Sequence, residues 1–410
     1  MERAIVLDVL CSSMFENKKL DQVLLRNKNS DVRFNQVYNL TMGVARIHYQ
    51  LEAYIKSKAR GTLDPKAQLI LEIAIYELLF NSSAKPYAVI SEALKLAEIK
   101  NLLKYKKVIH GILSAVIKEA DKGKELLKAF PPFPKWMMDE IKKMFPGQEA
   151  AVVEQLTAQA PFFLSVNTLK TTVDKLYSSF MEQGITVEHV ESNGVNTLVT
   201  FDKKILSSPE FTDGHFTIQD ISSQIAVKTI GPFKGMKMLD LCSAPGSKAI
   251  TAAIMAGDDC EIVSVDKSSA RLLRFHENLN RMKLRSVKIV NVDVMELTEE
   301  EGSFDLVMLD PPCSALGVSA RNPDTVWSKG KGTIVELAKL QLELLLKAMN
   351  YTKKGGKLMY SVCTFTEAET IGVINGALAK DPRYKKASDF LVTMPASGMD
   401  GMFIAILERQ

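Results

Sequence analysis

Residues 304–313 read FDLVMLDPPC, an apolar run followed by an abrupt turn that carries a carboxylate and a thiol. The run from Phe304 to Leu309 predicts a buried β-strand. Proline lacks a backbone donor and keeps the preceding residue extended, so the strand is expected to end at Asp310. Open parallel sheets bind their ligands at the carboxyl ends of the strands. The stretch therefore predicts a site at Asp310 and Cys313, on a sheet edge.

Strand and helix patterns alternate from residue 236 onward, as in a parallel sheet covered by helices. The predicted strands are MKMLDLC, CEIVSVD, SVKIVNV, FDLVMLD and GKLMYSV, and the predicted helices are KAITAAIMAG, SSARLLRFHENLNRM, TIVELAKLQLELLLKAMN and EAETIGVINGALAK. The first, fourth and fifth strands are expected to be neighbours, and a strand pair near FLVT and MFIAILER would close the sheet. We assign residues 231–410 to an α/β, Rossmann-like domain.

Residues 1–122 are predicted to form an all-helical domain of about five to seven helices. Asp64-Pro65 marks a helix start, with a capping residue before proline. Residues 1–120 contain 18 Lys and Arg against 12 Asp and Glu, whereas the rest of the chain contains 34 against 36. A basic helical domain is typical of proteins that contact phosphate backbones, although an ordinary solvated surface explains the same excess.

Residues 131–230 are predicted to form a small α+β lobe after the proline-rich linker FPPFP. FFLSVNTLK is its first strand, and TTVDKLYSSFMEQG is a helix capped by Thr171 or Thr172 and ended by Gly184. The whole chain is 46% hydrophobic and 24% charged, without an apolar run long enough for a membrane span or a signal-peptide pattern. Its five cysteines contain no CxxC pair, so we expect a cytoplasmic protein without a disulfide framework or a metal.

The first strand of the α/β domain runs into DLCSAPGSK, residues 240–248. Its glycine permits close approach of a ligand, and the following helix offers free N–H groups. Asp266 ends the second strand and could hold both ribose hydroxyls of an adenosine. Asp293 ends the third and could accept from an adenine amine, although a turn cap is the ordinary role. Without a GxGxxG motif a dinucleotide is disfavoured, and S-adenosyl-L-methionine fits better.

Two cysteines, Cys313 and Cys363, follow strands, whereas Cys11 and Cys260 are expected in the core. Carbon 5 of cytosine is a poor nucleophile until a thiolate adds to carbon 6, and a base must later remove the carbon 5 proton. Asp310, if protonated, would support ring nitrogen 3 during this addition. Enzymes that methylate amino groups have an aromatic residue after a similar Pro-Pro turn. The thiol at Cys313 therefore favours a pyrimidine carbon.

Longer motifs resemble known families. LILEIAIYELL, KPYAVISEALKLAE and VIHGILSAVIKE are similar to the RNA-binding NusB-type antitermination fold. DLCSAPGSK, DPPCSALG, RNPDTVW, YSVCTFTEAE and DGMFIAILER resemble, in order and spacing, the Sun/Fmu (NOL1/NOP2/Sun) family of ribosomal small-subunit RNA cytosine-5 methyltransferases. The resemblance implies 16S ribosomal RNA as substrate, Cys363 as covalent nucleophile and Cys313 as the residue that helps release product. By analogy with DNA cytosine methyltransferases, Cys313 would attack instead.

The same resemblance implies S-adenosyl-L-methionine as cofactor, bound by Cys242, Ser243, Ala244, Pro245, Gly246, Ser247, Lys248, Asp266, Asp293 and Asp310. The chain departs from the family pattern at Ser165, Ser247, Ala249, Ala315, Val326 and Val362, which concerns substrate affinity more than reaction type. Two alternatives remain: a tRNA or DNA cytosine-5 methyltransferase, and a catalytically inactive RNA-binding module. The sequence does not determine the oligomeric state, and a monomer is our default expectation.

Overall fold

The computed structural model describes residues 2–27, 33–119, 122, 125–231, 233–393 and 398–410. The chain divides into two compact units. One comprises the residues up to Gln159 together with Ser319–Gly330, and the other comprises Ala160–Val318 and Lys331–Gln410. Among the described residues, no helix combines the length and apolar character needed to cross a membrane. The domain boundaries inferred from the sequence stay a prediction.

The first unit is built from helices, and the apolar faces of those up to residue 128 share one core. They are α1 (Glu2–Glu16), α2 (Leu20–Arg26), α3 (Phe34–Arg46), α4 (His48–Lys58), α5 (Pro65–Phe80), α6 (Pro86–Ile99), α7 (Lys106–Glu119), α8 (Glu125–Lys128), α9 (Lys135–Met144) and α10 (Glu149–Thr157). The central helix α5 begins where the sequence predicts, because the Asp64 carboxylate accepts a hydrogen bond from the Lys66 N–H at 2.8 Å. The prediction of an all-helical amino-terminal region is confirmed.

The segment Ser319–Gly330, which contains the RNPDTVW motif, belongs to this helical unit. The Arg46 Nε donates to the Ala320 carbonyl at 2.7 Å. The Asp324 carboxylate accepts from the Leu20 N–H at 3.3 Å. The chain therefore returns to the helical unit shortly after the DPPC turn, which the local sequence pattern did not indicate.

A four-stranded antiparallel sheet opens the second unit, in the order β2-β3-β1-β4. Its elements are β1 (Phe162–Val166), α11 (Val173–Glu182), β2 (Glu188–Ser192), β3 (Val195–Thr200), α12 (Pro209–Thr212), β4 (Phe216–Ile218) and α13 (Ile221–Ile230). Thr172 caps α11, because its hydroxyl accepts from the Lys175 N–H at 3.2 Å. Gly184 follows the helix with φ +68°. The predicted α+β lobe is confirmed.

The larger sheet carries the motifs. Its region contains β5 (Lys237–Leu241), α14 (Ser247–Met255), β6 (Glu261–Val265), α15 (Ser269–Met282), β7 (Val287–Val290), β8 (Phe304–Leu309), α16 (Thr325–Ser328), α17 (Lys331–Tyr351), β9 (Thr352–Val362), α18 (Ile371–Lys380), β10 (Tyr384–Lys386), β11 (Leu391–Thr393) and β12 (Met402–Arg409). The strand order is β10-β12-β9-β8-β5-β6-β7, and β11 pairs with β12. The predicted adjacency of the first, fourth and fifth strands is confirmed by β5, β8 and β9.

Strands β5 to β9 are parallel, and β12 runs antiparallel to β9. Apolar cores lie on both faces of this sheet. Coverage on both faces explains why the parallel strands have nearly continuous apolar sequences. The short strand β10 was not predicted, since its exposed lysines give no such pattern. The carboxyl ends of β5, β8 and β9 meet at one edge, and the chemically distinctive turns follow directly from them.

Candidate active site

The structure brings the two cysteines of the predicted site together. The Sγ atoms of Cys313 and Cys363 are 3.3 Å apart, and both residues are half-buried. They follow β8 and β9, which pair in parallel with Leu309 opposite Tyr360. The Gly317 N–H donates to the Cys363 carbonyl at 3.0 Å, which links the two turns further. A single small ring could therefore contact both sulfur atoms.

The Cys363 thiol has a pKa well above its ordinary value. Its hydrogen bond with the Cys313 sulfur is the largest cause, burial adds to it, and the positive charge of Lys248 opposes both. A nucleophilic cysteine needs the opposite shift, because the thiolate is the reactive form. The site in this state consequently holds Cys363 as a thiol, which would have to lose its proton to act as a nucleophile.

An ion pair lies beside the thiols. The Lys248 ammonium is 2.5 Å from Asp310 Oδ2, and the Ser361 hydroxyl donates to Asp310 Oδ1 at 3.4 Å. Burial alone would lower the pKa of Lys248, but the Asp310 carboxylate reverses this and raises the pKa above its ordinary value. The Lys248 side chain is 9% exposed and that of Asp310 is 34% exposed. The carboxylate is therefore the partner that a ligand can reach.

The turn between β5 and α14 has one position that only glycine can occupy and one buried polar atom without a protein partner. Gly246 has φ +94°, and a Cβ there would lie 2.0 Å from the Phe275 ring, so both conformation and space require glycine. The turn contains a cis Ala244-Pro245 peptide. Within the described residues, buried polar atoms without a protein partner include Ser243 Oγ at this turn. A polar ligand would satisfy such an atom, since buried polar groups are normally hydrogen-bonded.

The two carboxylates predicted to hold a nucleoside both bind backbone N–H groups. The buried Asp266 accepts from the Ala244 N–H at 3.0 Å and from the Ser268 N–H at 2.8 Å, which joins the turns after β5 and β6. Asp293 accepts from the Met295 N–H at 3.0 Å, and this bond is the main cause of its lowered pKa. Asp293 thus has the ordinary role of a turn cap. A carboxylate offers about four lone-pair positions, so both retain the capacity to bind a ligand.

Asp240, on β5, is a titratable group to which the sequence analysis assigned no role. Its side chain is buried, and its Oδ2 has no hydrogen-bond partner. Burial raises its pKa to about 8, with smaller contributions from Asp310 and Asp266 and an opposing one from Lys248. The signal was present as a carboxylate within the apolar strand MKMLDLC. In a sheet covered on both faces, such a side chain is necessarily buried.

We expect replacement of Asp240 by asparagine to flatten the pH dependence of stability. The folded-state pKa of about 8 lies above the unfolded value, so the folded protein keeps a proton that the unfolded chain loses. The stabilising contribution of the Asp240 carboxyl is fully present below about pH 4. This contribution is lost as the pH rises towards 8, and it is on the order of a few kcal/mol in total. Urea unfolding at several pH values should show the variant gaining stability over the wild type as pH increases. Parallel curves for the two proteins would contradict the assignment.

Ala315 occupies a backbone conformation that favours glycine. Its φ is +58°, in the left-handed region, so this departure from the family pattern introduces backbone strain. A non-glycine residue there costs about 1–2 kcal/mol, partly offset by the greater unfolded-state freedom of glycine. Ala315→Gly is therefore expected to stabilise the protein by about 1 kcal/mol, measured by urea unfolding. Gly317→Ala is a control that should lower stability, since a Cβ there would lie 1.9 Å from the Gly401 carbonyl oxygen. Equal stability of Ala315→Gly and the wild type would contradict the strain.

Four of the other departures place small or apolar side chains in the interior. Ser165 is buried and its hydroxyl lies 3.1 Å from that of Thr251. Ala249, Val326 and Val362 are also buried.

In the described part of the chain, no group of three His, Cys, Asp or Glu side chains could hold a metal ion.

Comparison with known proteins adds family information to this geometry. Residues 227–408 match the 16S rRNA methyltransferase RsmB/F family, residues 1–118 match the NusB family, and residues 133–198 match the ferredoxin-like domain of RsmF/B-like methyltransferases. Ribosomal RNA small subunit methyltransferase B of Cronobacter sakazakii is 30% identical over 369 residues, covering 87% of this chain and 85% of that protein. The protein with the same name from Photorhabdus laumondii is 28% identical, covering 100% and 98%.

Solved structures show the same fold. The crystal structure of PH0851 has a TM-score of 0.78 at 22% identity, covering 100% of this chain and 99% of that one. The structure of NSun6 from Pyrococcus horikoshii with SFG has a TM-score of 0.59 at 20% identity, covering 68% and 98%. The architecture is that of a Rossmann-like methyltransferase joined to a NusB-like helical domain. The chain belongs to the 16S rRNA methyltransferase RsmB/F family.

Proposed function

We propose that this protein transfers a methyl group from S-adenosyl-L-methionine to carbon 5 of a cytosine in 16S ribosomal RNA, through a covalent bond between Cys363 and carbon 6. The observation that carries the proposal is the 3.3 Å separation of the Cys313 and Cys363 sulfur atoms. The ion pair of the buried Lys248 with the partly exposed Asp310 supports it, because proton transfer to the ring needs a nearby acid. Family membership supports RNA methylation as the general activity.

The turn after β5 fits the proposed cofactor. Gly246 gives the turn its left-handed conformation at the N-terminus of α14, and Ser243 offers a buried hydroxyl without a partner. Asp266 and Asp293 would bind the nucleoside, with the rest of Cys242–Lys248 lining the turn. S-adenosyl-L-methionine would supply an electrophilic methyl group on sulfur. SFG, an analogue of this cofactor, is present in the structure of the related NSun6 fold.

Addition of Cys363 to the ring is the first step that the protein's residues perform. The Cys363 thiol first gives its proton to solvent. The thiolate then forms a bond to carbon 6, and the ring electrons move towards nitrogen 3, which takes a proton. Because Asp310 is ion-paired with Lys248, the proton is on the lysine in the free site and would reach the ring through the Asp310 carboxylate. Asp310 would thus pass on a proton from Lys248, whereas the sequence suggested a role for Asp310 if it carries the proton itself. Carbon 5 then has the electron density that methylation requires.

Release of the product is assigned to Cys313. Once its own proton has passed to solvent, the Cys313 thiolate takes the proton from carbon 5, the carbon 5–carbon 6 double bond forms again, and the bond from carbon 6 to Cys363 breaks. The proton on nitrogen 3 returns through the Asp310 carboxylate to Lys248. The 3.3 Å distance between the sulfurs lets one act on carbon 5 while the other holds carbon 6. Cys363 leaves as a thiolate, and it regains its proton in a site that raises its pKa.

The helical unit is the proposed RNA-binding part of the chain. Residues 1–118 match the NusB family, and residues 1–120 carry six more basic than acidic side chains. Positive charge attracts any RNA phosphate backbone, so this surface supplies affinity and not the choice of cytosine. A cytoplasmic location and a monomeric state stay predictions.

Bisulfite sequencing tests the proposed function. Unmodified 16S ribosomal RNA, a tRNA pool and double-stranded DNA would each be incubated with the protein and S-adenosyl-L-methionine. We expect one cytosine in 16S ribosomal RNA to become resistant to conversion, and the other two nucleic acids to stay unmodified. Modification of only tRNA or only DNA would favour the alternative substrate. No modification of any of them, with RNA binding intact, would favour an inactive RNA-binding module.

A further inference from the structure

A buried carboxylate outside the proposed catalytic set lies between the two cysteine turns. Glu369 is 0% exposed and follows the Cys363 turn, in the short helical turn Glu367–Glu369. Its Oε1 accepts from the Ser314 N–H at 2.7 Å, and its Oε2 accepts from the Ser314 hydroxyl at 2.6 Å. Ser314 directly follows Cys313, so this carboxylate holds the Cys313 turn through two hydrogen bonds.

The same carboxylate also holds the turn that carries Cys363. The Thr366 hydroxyl donates to Glu369 Oε2 at 2.8 Å. The Thr364 and Ser314 hydroxyls are 2.7 Å apart, and since Ser314 donates to the carboxylate, Thr364 donates to Ser314. Hydroxyls from both cysteine turns thus converge on Glu369. The mutual position of the two turns depends on this group, because hydroxyls of both turns donate to the same oxygen atom, Oε2.

Two further side chains fix the carboxylate itself. The Gln341 amide nitrogen donates to Glu369 Oε1 at 3.1 Å and to the Pro312 carbonyl at 2.9 Å. The Tyr360 hydroxyl lies 2.7 Å from the Glu369 carbonyl and 3.1 Å from Gln341 Oε1. The network is buried, so a missing acceptor would leave donors without solvent to replace it. It is therefore expected to favour one arrangement of the turns.

We propose that Glu369 is a positioning residue that sets the separation of the Cys313 and Cys363 sulfur atoms. It contacts neither sulfur, and it acts through Ser314 on one side and through Thr364 and Thr366 on the other. Its consequence for catalysis rests on the proposed function, because only a reaction that uses both thiols on one ring depends on their spacing. Its effect on the geometry of the thiol pair is independent of the proposed function.

The geometric part is tested with phenylarsine oxide, which binds tightly only where one arsenic atom can bond two sulfurs. Glu369→Ala, Glu369→Gln and the wild type would be compared, with Glu367→Gln as matched control because Glu367 is an exposed residue of the same turn. We expect the bridging rate, followed by mass spectrometry, to fall at least about tenfold in Glu369→Ala. Glu369→Gln should recover most of it, because glutamine keeps one acceptor and its amide can donate to the Ser314 and Thr366 hydroxyls. The control should match the wild type.

The catalytic part is tested with RNA that contains 5-azacytidine. We expect Glu369→Ala to form the covalent adduct about 100-fold more slowly, the effect of a small misalignment of reacting groups, with unchanged affinity for S-adenosyl-L-methionine. A role limited to overall stability would lower cofactor affinity and melting temperature together and would not be relieved by glutamine. Wild-type bridging and adduct rates in folded Glu369→Ala would overturn the proposal.

Ser314→Ala extends the test if Glu369→Ala does not fold. This variant removes the hydroxyl that joins Thr364 to Glu369 while keeping the Ser314 backbone bond. Slower arsenical bridging supports the proposal, and an unchanged rate overturns it. If the wild type bridges arsenic but forms no adduct with RNA, the proposed function fails and the positioning role of Glu369 does not.

Discussion

Replacing Cys363 with alanine is expected to abolish covalent capture of RNA that contains 5-azacytidine, whereas replacing Cys313 with alanine should make the covalent complex with natural, cytosine-containing RNA accumulate. The reason is the proposed division of roles between the two sulfur atoms, which lie 3.3 Å apart. Without Cys363 no bond to carbon 6 forms. Without Cys313 the bond forms, but the carbon 5 proton has no acceptor and the complex cannot resolve. Denaturing gel electrophoresis of protein bound to labelled RNA measures both outcomes.

Cys260→Ala is the matched control for these variants, since Cys260 is also a free, half-buried cysteine but packs in the core beside β5 and β6. It should capture RNA that contains 5-azacytidine as the wild type does, and with natural RNA it should form and resolve the complex as the wild type does. Methyl transfer to natural RNA should be lost in Cys363→Ala and strongly reduced in Cys313→Ala. Capture that is lost in Cys313→Ala and kept in Cys363→Ala would reverse the roles.

Replacing Asp310 with asparagine is expected to reduce both methyl transfer and stability. Transfer should fall by about a thousandfold, because the proton route to ring nitrogen 3 is removed. Stability should fall by about 3 kcal/mol, since removal of one partner leaves the buried Lys248 charge without its counter-ion. Single-turnover methylation and urea unfolding of the cofactor-free protein measure the two effects separately.

Asp305→Asn is the control for this effect on stability. Asp305 and Asp310 have similar side-chain exposures of 33% and 34%, but their lysine partners are 44% exposed at Lys353 and 9% exposed at Lys248. The ion pair with an exposed lysine is worth about 1 kcal/mol or less, so Asp305→Asn should change stability little. Equal losses in the two variants would show that burial of Lys248 does not determine the cost.

Local patterns predicted the elements of the α/β unit well. The apolar runs at β5, β8 and β9 identified strands, and the connection rules of parallel sheets placed them side by side. Patterns failed where the information was not local. The three-residue strand β10 is too short to show periodicity, and the position of the RNPDTVW segment in the helical unit depends on Arg46 and Leu20, far away in the sequence.

The candidate site divides in the same way. Motif spacing predicted that Cys313, Cys363 and Asp310 would lie at one sheet edge. It did not predict the pKa of Cys363, because the direction of that shift depends on burial and on a neighbour 50 residues away. Asp240 was missed although it interrupts an apolar strand sequence. Its lack of a hydrogen-bond partner at Oδ2 becomes evident only when the surrounding side chains are placed.

By itself, the sequence determined the kinds of chemical groups available, the order of strands and helices, and the turns at which those groups occur. These properties depend on residue type and short-range periodicity, which a single chain displays directly. Tertiary structure alone decided the 3.3 Å between the sulfurs, the pairing of Lys248 with Asp310 and the convergence of both cysteine turns on Glu369. Such distances depend on how separate turns pack, and hydrogen bonds and buried charges respond to differences of about 1 Å that no sequence spacing specifies.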